Sequence, residues 1–378
     1  MQVFGPNELC RDVLEPGLCT GCGACVDLCP YLGTHRGKTA MLFACDRSRG
    51  RCHAFCPKTE VDLDSLSMAR YGTFYTGSPA GESRQILMGR AGKAVSHGEF
   101  QDGGSVSALM MYALESRIVD AAVLTGRKGL VPVPGLAVKP QEVRGFSYSK
   151  YTAAPTISAL NKGYNDGFTR MGVVGTPCQL TAVAKMSANP MEAPDFADPA
   201  ALTIGLFCTW ALDTRKFISF IEKRVPGARI KKMRVLPPPA GVMEVDTDEG
   251  VLEIPIEELR HCVPEGCSLC PDMTAEWADI SVGAMEGSEN WNTLIVRTEK
   301  GERLVRHACT AGYLDLDEFP EQNRSHLLAA AGEKKRRAFE KACSLGLVNT
   351  EKEGVRAVLR VNRQTLEKII SDRGEGAQ

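Results

Sequence analysis

The stretch Cys19-Thr20-Gly21-Cys22-Gly23-Ala24-Cys25-Val26-Asp27-Leu28-Cys29-Pro30 constrains this chain more than any other. Three cysteines at two-residue gaps, then a fourth after three more residues and followed by proline, is the spacing that ligates an iron–sulfur cubane. Three thiolates from one tight loop hold three irons, and Gly21 and Gly23 let the backbone wrap close to the sulfides. The fourth cysteine of such a run ligates a different cluster, so the spacing predicts a second cysteine group downstream. Cys45, Cys52 and Cys56-Pro57 supply it. A zinc site and a disulfide framework are the rival readings. Structural zinc favours paired cysteines, and a third thiolate two residues on crowds a single tetrahedral ion. Disulfide frameworks belong to small secreted domains, whereas this chain has 378 residues and no apolar leader in Met1 to Leu14.

Eight of the fifteen cysteines (10, 19, 22, 25, 29, 45, 52 and 56) fall within the first 57 residues, which marks off a small module over 1–65. Its core is slight, so clusters would act as its staples. The two halves are not symmetric. Counting back from Cys52, the expected partner positions hold Arg49 and Asp46, with Cys45 one residue off. One 4Fe-4S cluster is therefore assigned to Cys19, Cys22, Cys25 and Cys56, and a second to Cys29, Cys45 and Cys52. Cys10 is either the fourth ligand of the second or an ordinary free thiol.

A net charge of −1 gives no electrostatic reason to invoke nucleic acid or an acidic membrane surface. The longest mostly apolar run, Ala201 to Leu212, is too short to span a bilayer, and the chain reads as cytoplasmic without a membrane span of its own. Residues 66–95 are mixed and glycine-rich, which suits a linker and docking segment. Gln101-Asp102-Gly103-Gly104-Ser105 then precedes apolar residues at helical spacing, with Ser105 as a candidate cap. Such a start either simply begins a helix or presents bare N–H groups to a ligand. Val119 to Thr125, Met171 to Val174 and Leu202 to Phe207 read as strands. Pro155 to Tyr164, Leu180 to Met186 and Thr214 to Val225 read as helices, the last capped by Asp213. This alternation argues for an α/β (α+β) core with a mixed sheet over 96–325, and ligands in such sheets gather beyond the carboxyl ends of strands.

Cys178 and Cys208 lie at two such ends, and Cys267-Ser268-Leu269-Cys270 follows a hairpin expected beyond Pro237-Pro238-Pro239. Taken alone, a Cys-x-x-Cys pair suits a redox disulfide, half a zinc site or half a cluster, and the other two cysteines suit either ligands or buried apolar residues. The tail, 326–378, is helical and charged, and Lys334-Lys335-Arg336-Arg337 reads as a solvated face or a surface docked on a partner. The histidines at 35, 53, 97, 261, 307 and 326 are scattered, and no nucleophile or acid–base pair stands out.

Several of these segments occur in an order that resembles a known family. They are Gln101-Asp102-Gly103-Gly104, Lys150-Tyr151 with Pro155, Thr176-Pro177-Cys178-Gln179, Phe207-Cys208, Gly266-Cys267-Ser268-Leu269-Cys270, and Ala278-Asp279-Ile280-Ser281-Val282-Gly283 with Trp291. The order is similar to that of the coenzyme F420 hydrogenase/dehydrogenase beta subunits, which include formate dehydrogenase beta subunits. The likeness runs from about Ser96 to about Leu316, and the cysteine-rich module resembles a bacterial-type ferredoxin extension found in part of that family.

The resemblance implies a flavin-binding core carrying FAD and one 4Fe-4S cluster, the latter held by Cys178, Cys208, Cys267 and Cys270. It puts the flavin near Gly103, Gly104, Ser105, Lys150, Tyr151, Thr176 and Pro177; Lys150 is then either a positive group at the edge of the ring or an ordinary surface lysine. It also implies hydride exchange with a small-molecule carrier, reduced F420 or NAD(P)H, and relay of single electrons to or from a catalytic or electron-accepting redox subunit in a hetero-oligomeric complex. The alternative is an adaptor that wires a hydrogenase, formate dehydrogenase or heterodisulfide-reductase-type complex without meeting a small substrate. Nothing in the chain resembles a nickel or molybdenum site.

Overall fold

In the computed structural model, residues 2–95, 100–236, 240–351 and 357–372 are described. The start of the resemblance at Ser96, His97 and the Pro237–Pro239 punctuation lie outside them. An eight-stranded mixed sheet organises the chain. Its strands are β1 (Gln85–Ala91), β2 (Ala121–Lys128), β3 (Val131–Ala137), β4 (Met171–Gly175), β5 (Ala200–Leu206), β6 (Ile280–Ala284), β7 (Asn292–Val296) and β8 (Leu314–Glu318). Their order across the sheet is β8-β1-β7-β6-β5-β4-β2-β3. The run from β2 through β4 and β5 to β6 is parallel, and the remaining pairings are antiparallel.

The central strands are apolar runs because helices cover both faces, leaving no solvent side to impose alternation. All five residues of β4 and of β7 are buried. One face carries α2 (Ser105–Glu115) and α6 (Glu299–Thr310), whose Met110, Leu109 and Leu304 pack on Leu202, Ile204 and Leu294. The other carries α3 (Thr156–Asn165) and α4 (Pro177–Ser187), with Ile157, Leu160 and Leu180 against Val123 and Val173. The cap predicted for α5 (Thr214–Arg224) is in place, since Asp213 accepts from the N–H groups of Arg215 and Lys216. The expected hairpin, Val242–Thr247 with Gly250–Pro255, gains Ile230–Val235 as a third strand, and Phe217 of α5 packs into its core.

Two expectations change. Residues 66–95 are not merely a linker, because they hold β1, paired on both sides within the main sheet. Gly89, Arg90 and the half-exposed pattern of this strand disguise it. The amino-terminal residues also share a core with the tail. Cys25, Cys52, Cys56 and α1 (Leu63–Tyr71) pack with Leu269, Trp277, Phe339 of α7 (Glu321–Ser344) and Ile369 of α8 (Arg363–Ser371). No described helix is long and apolar enough to cross a membrane.

Candidate functional site

The parallel strands deliver one group of cysteines to their carboxyl edge. β4 runs into Thr176, whose N–H is taken by Oε1 of Gln179 at 2.8 Å in a capping box, with Pro177 opening α4. Cys178 is therefore fixed in the first turn. Cys208 lies just past β5, its N–H bound to the carbonyl of Met273 at 2.8 Å. Cys267 and Cys270 lie in one turn, closed by the Cys270 N–H on the Cys267 carbonyl at 3.2 Å. The four sulfurs share one environment. Burial, and then nearby Cys267, Cys178 and Cys270, push the Cys208 thiol up, although the Lys334 ammonium opposes this. Burial with Cys178 and Cys270 raises Cys267 to about 11.

The amino-terminal cysteines lie beside one another and beside this edge. Gly21 and Gly23 have φ of 69° and 85°, which turns the loop and bares N–H groups such as that of Gly21, 3.4 Å from Sγ of Cys19. Burial and then Cys178, Cys56 and Cys25 push the Cys22 thiol well up. Burial and then Cys56, Cys19 and Cys52 do the same to Cys25. Burial raises Cys52 to about 11, with Cys29 and Cys45 adding to it. Cys10 is raised by burial and Glu15. Cys22 and Cys25 thus lie near Cys56 but also near Cys178 and Cys52 respectively, Cys52 lies near Cys29 and Cys45, and Cys29 is exposed.

The first loop is locked onto the core. Ile157 N–H donates to the Cys22 carbonyl at 3.1 Å, and Nδ2 of Asn161 donates to the carbonyls of Ala24 and Val26 at 3.1 and 2.7 Å. A Cβ at Gly23 would stand 2.4 Å from the Pro155 oxygen, and one at Gly266 would stand 2.0 Å from that of Leu18. Among the described residues no three His, Cys, Asp or Glu side chains converge on a position for a single metal ion. Four-iron cubanes spread four thiolates over four irons, and donor sets of thiolates only, buried beside cations, fit them.

The residues expected near a flavin lie along the same edge. Gly104, at φ 76°, occupies the N-cap position of α2, and a Cβ there would meet the Phe100 ring at 2.6 Å. Ser105 does not cap the helix as expected. It is the first helical residue, its N–H is taken by Oδ1 of Asn292 at 3.1 Å, and its buried Oγ has no partner among the described residues. A Cβ at Gly103 would stand 2.8 Å from the same Asn292 oxygen. Gln101 ties this turn to the Lys150 segment, accepting from Ser149 N–H at 3.2 Å and donating to the Met233 carbonyl at 3.0 Å. Lys150 turns its Nζ onto the carbonyls of Phe146, Ser147 and Tyr148 at 2.6, 2.8 and 2.6 Å. Burial, then Arg127, lowers it to about 7. Tyr151 sits at φ 55° with its hydroxyl accepting from Val235 N–H at 3.2 Å.

The basic run of the tail is the feature that composition misread. Arg336 and Arg337 are paired with Glu333 on the outer side of α7, as a solvated face would be. Lys334 and Lys335 point inward. Lys334 Nζ donates to the carbonyls of Cys208 and Asp272 at 2.6 and 2.7 Å. Lys335 meets Oε1 of Glu276 and the Tyr75 hydroxyl, both at 2.7 Å, beneath the surface. A signal for this existed. Ala331, Ala338, Phe339 and Ala342 mark a buried helical stripe, and positions 334 and 335 fall on it.

Two family models match in tandem. One described as "Coenzyme F420 hydrogenase/dehydrogenase, beta subunit N-term" covers residues 86–161, and its C-terminal counterpart covers 168–322. A 4Fe-4S binding domain matches 13–32. The coenzyme F420 hydrogenase subunit beta of Methanococcus voltae is 30% identical over 63% of this chain and 85% of its own length. The coenzyme F420-dependent sulfite reductase of Methanocaldococcus jannaschii is 29% identical over 78% of this chain, which spans 46% of that longer protein. Among solved structures, a chain of the F420-reducing [NiFe] hydrogenase complex from Methanosarcina barkeri superposes with a TM-score of 0.65 at 27% identity, over 71% of this chain and 95% of that one.

Proposed function

Because this chain belongs to the coenzyme F420 hydrogenase/dehydrogenase beta-subunit family, we propose that it is a flavin iron–sulfur oxidoreductase subunit. It exchanges hydride with a two-electron carrier, reduced F420 or NAD(P)H, and passes single electrons to or from a partner redox subunit. When bound, FAD would supply the change from two-electron to one-electron transfer, and 4Fe-4S clusters the relay. The observation that carries this reading is the gathering of Cys178, Cys208, Cys267 and Cys270 from three separate segments, with Cys22 of the first loop close enough for Cys178 to raise its thiol. In it, these four cysteines hold the core cluster, and Cys19, Cys22, Cys25 and Cys56 hold the next. Cys29, Cys45 and Cys52 hold a third at the surface.

Gly103, Gly104, Ser105, Lys150, Tyr151, Thr176 and Pro177 would border the flavin. The fit to FAD rests on the fully buried Ser105 hydroxyl, without a partner among the described residues, beside the Gly103–Gly104 turn. Lys150 holds its own turn closed through three carbonyls and presents the backbone of residues 146–148 in a fixed form. Those bonds also favour a second reading, the electron-transfer adaptor, since they engage the ammonium expected to face the ring. Stopped-flow mixing with reduced F420, NADH, NADPH and reduced ferredoxin separates the two. Bleaching of a bound flavin by one of the hydride carriers is the expected result, and a preparation that none of those three reduces overturns the first reading in favour of the adaptor.

A further inference from the structure

Among the described residues four lysines have buried side chains, and they are satisfied in two different ways. Lys335 follows the usual rule for a buried charge, pairing with the Glu276 carboxylate at 2.7 Å. Lys58, Lys185 and Lys334 do not, and no carboxylate among the described residues bridges any of them. Lys185, two turns on from Cys178 along the same side of α4 and 1% exposed, donates to the Cys56 carbonyl at 2.6 Å, the Thr59 hydroxyl at 2.8 Å and the Glu60 carbonyl at 2.9 Å. Lys334, 6% exposed, donates to the carbonyls of Cys208 and Asp272. Lys58, 4% exposed, donates to the Leu269 carbonyl at 3.1 Å and lines the cleft formed by Cys178, Cys270 and Trp277. Each ammonium is therefore bonded to the backbone of a cysteine proposed as a ligand, or of the residue beside one.

An ammonium taken out of water costs several kcal/mol unless an opposite charge offsets it. Carbonyl dipoles orient these three without neutralising them. The anion missing from each is supplied if the neighbouring thiols are ionised and bear a cluster of net negative charge. We propose that Lys58, Lys185 and Lys334 are built-in counter-charges that set the reduction potentials of separate clusters, Lys185 that of the Cys19–Cys22–Cys25–Cys56 group and Lys58 and Lys334 that of the Cys178–Cys208–Cys267–Cys270 group. Each added electron makes a cluster more negative, so a fixed positive charge beside it favours the reduced form and raises its potential. The inference rests on the cluster assignment of the proposed function.

The test is a redox titration of the iron-loaded full-length protein, monitored by electron paramagnetic resonance. Cys208→Ser and Cys56→Ser first identify which signal belongs to which group. Lys334→Gln keeps a donor for the carbonyls and removes the charge. It is expected to lower the potential of the Cys208-dependent signal by about 59 mV, a tenfold change in a one-electron couple, and to leave the Cys56-dependent signal in place. Lys185→Gln is expected to do the reverse, and Lys→Arg at either site to restore the wild-type value. Loss of iron in the Gln variants with retention in the Arg variants supports the same role. Iron-replete Gln variants with unchanged potentials overturn it, as do equal shifts of both signals or loss of iron in the Arg variants as well. If the wild-type protein binds no iron, or neither Cys→Ser variant removes a signal, the cluster assignment itself has failed.

Discussion

The buried pair Lys335–Glu276 yields the most exacting stability prediction. It joins α7 to the segment before β6, and it aims the adjacent Lys334 at Cys208. Lys335→Met leaves the Glu276 carboxylate buried, with Tyr71 still donating to its backbone oxygen but the ammonium gone. Removing one partner of such a pair costs about 3–5 kcal/mol. The double variant Lys335→Met/Glu276→Leu removes both charges and is expected to recover most of that loss, because replacing a buried pair by apolar groups is often close to neutral. Urea unfolding followed by fluorescence of Trp277, which stacks on Tyr71, measures both.

The pH dependence of this pair has a definite sign. Burial raises Glu276 above 4.5, and Lys335 is the strongest influence opposing that rise. The variant therefore raises it further. A carboxyl group with a raised folded-state pKa binds its proton more tightly when folded. Its favourable contribution is complete below 4.5 and is lost as pH climbs through the folded value. The deficit of Lys335→Met should thus be smaller at pH 5 than at pH 8. A single variant costing less than about 1 kcal/mol, or a double variant no better than the single, refutes the reasoning.

Other outcomes follow from the same geometry. Gly104→Ala incurs about 1–2 kcal/mol of left-handed strain and pushes into the Phe100 ring, so thermal unfolding should come earlier and co-purified flavin should fall. Gly23→Ala sets a methyl group against the Pro155 backbone and should loosen the first loop, read as faster hydrogen exchange of Ile157 and its neighbours. Iron analysis of the full chain should give about twelve irons if all three cysteine groups carry a cubane, and about four fewer in Cys29→Ser/Cys45→Ser.

Much of the fold was legible because its central strands are buried on both faces and so read as unbroken apolar runs. Met171–Gly175 and Ala200–Leu206 were located almost to the residue. Gln85–Ala91 was not, since it lies next to the edge strand and carries Gly89 where a side chain would strike Leu294. The cysteine groups were legible from spacing in the first loop and from resemblance in the core. What spacing could not convey was their common environment, which is made by lysines far away in sequence. Lys185 lies 129 positions from the Cys56 carbonyl it binds, and Lys334 lies 126 from that of Cys208. A lysine run looks the same in sequence whether it faces water or a thiol. Only the apolar stripe on which it falls distinguishes the two.

The loop that first drew notice has a more specific place than the end of a wire. Cys22 and Cys25 are three residues apart, yet Cys22 is raised in part by Cys178 of the core and Cys25 in part by Cys52 of the outer group. One short loop therefore reaches from the sheet edge to the exposed surface at Cys29, and under the proposed function its cluster is the middle station of three. Cys56 is the ligand of that station contributed from outside the loop, held by the Lys58 N–H on its sulfur at 3.4 Å and by Lys185 on its carbonyl. Cys56→Ser should accordingly interrupt traffic in both directions. After mixing with an effective hydride donor, freeze-quenched samples should contain a reduced core signal and an outer group still oxidised at times when the wild-type protein has reduced both. An outer group that fills at the wild-type rate in Cys56→Ser would show that electrons leave the core by another route, and the middle position of this loop would have to be given up.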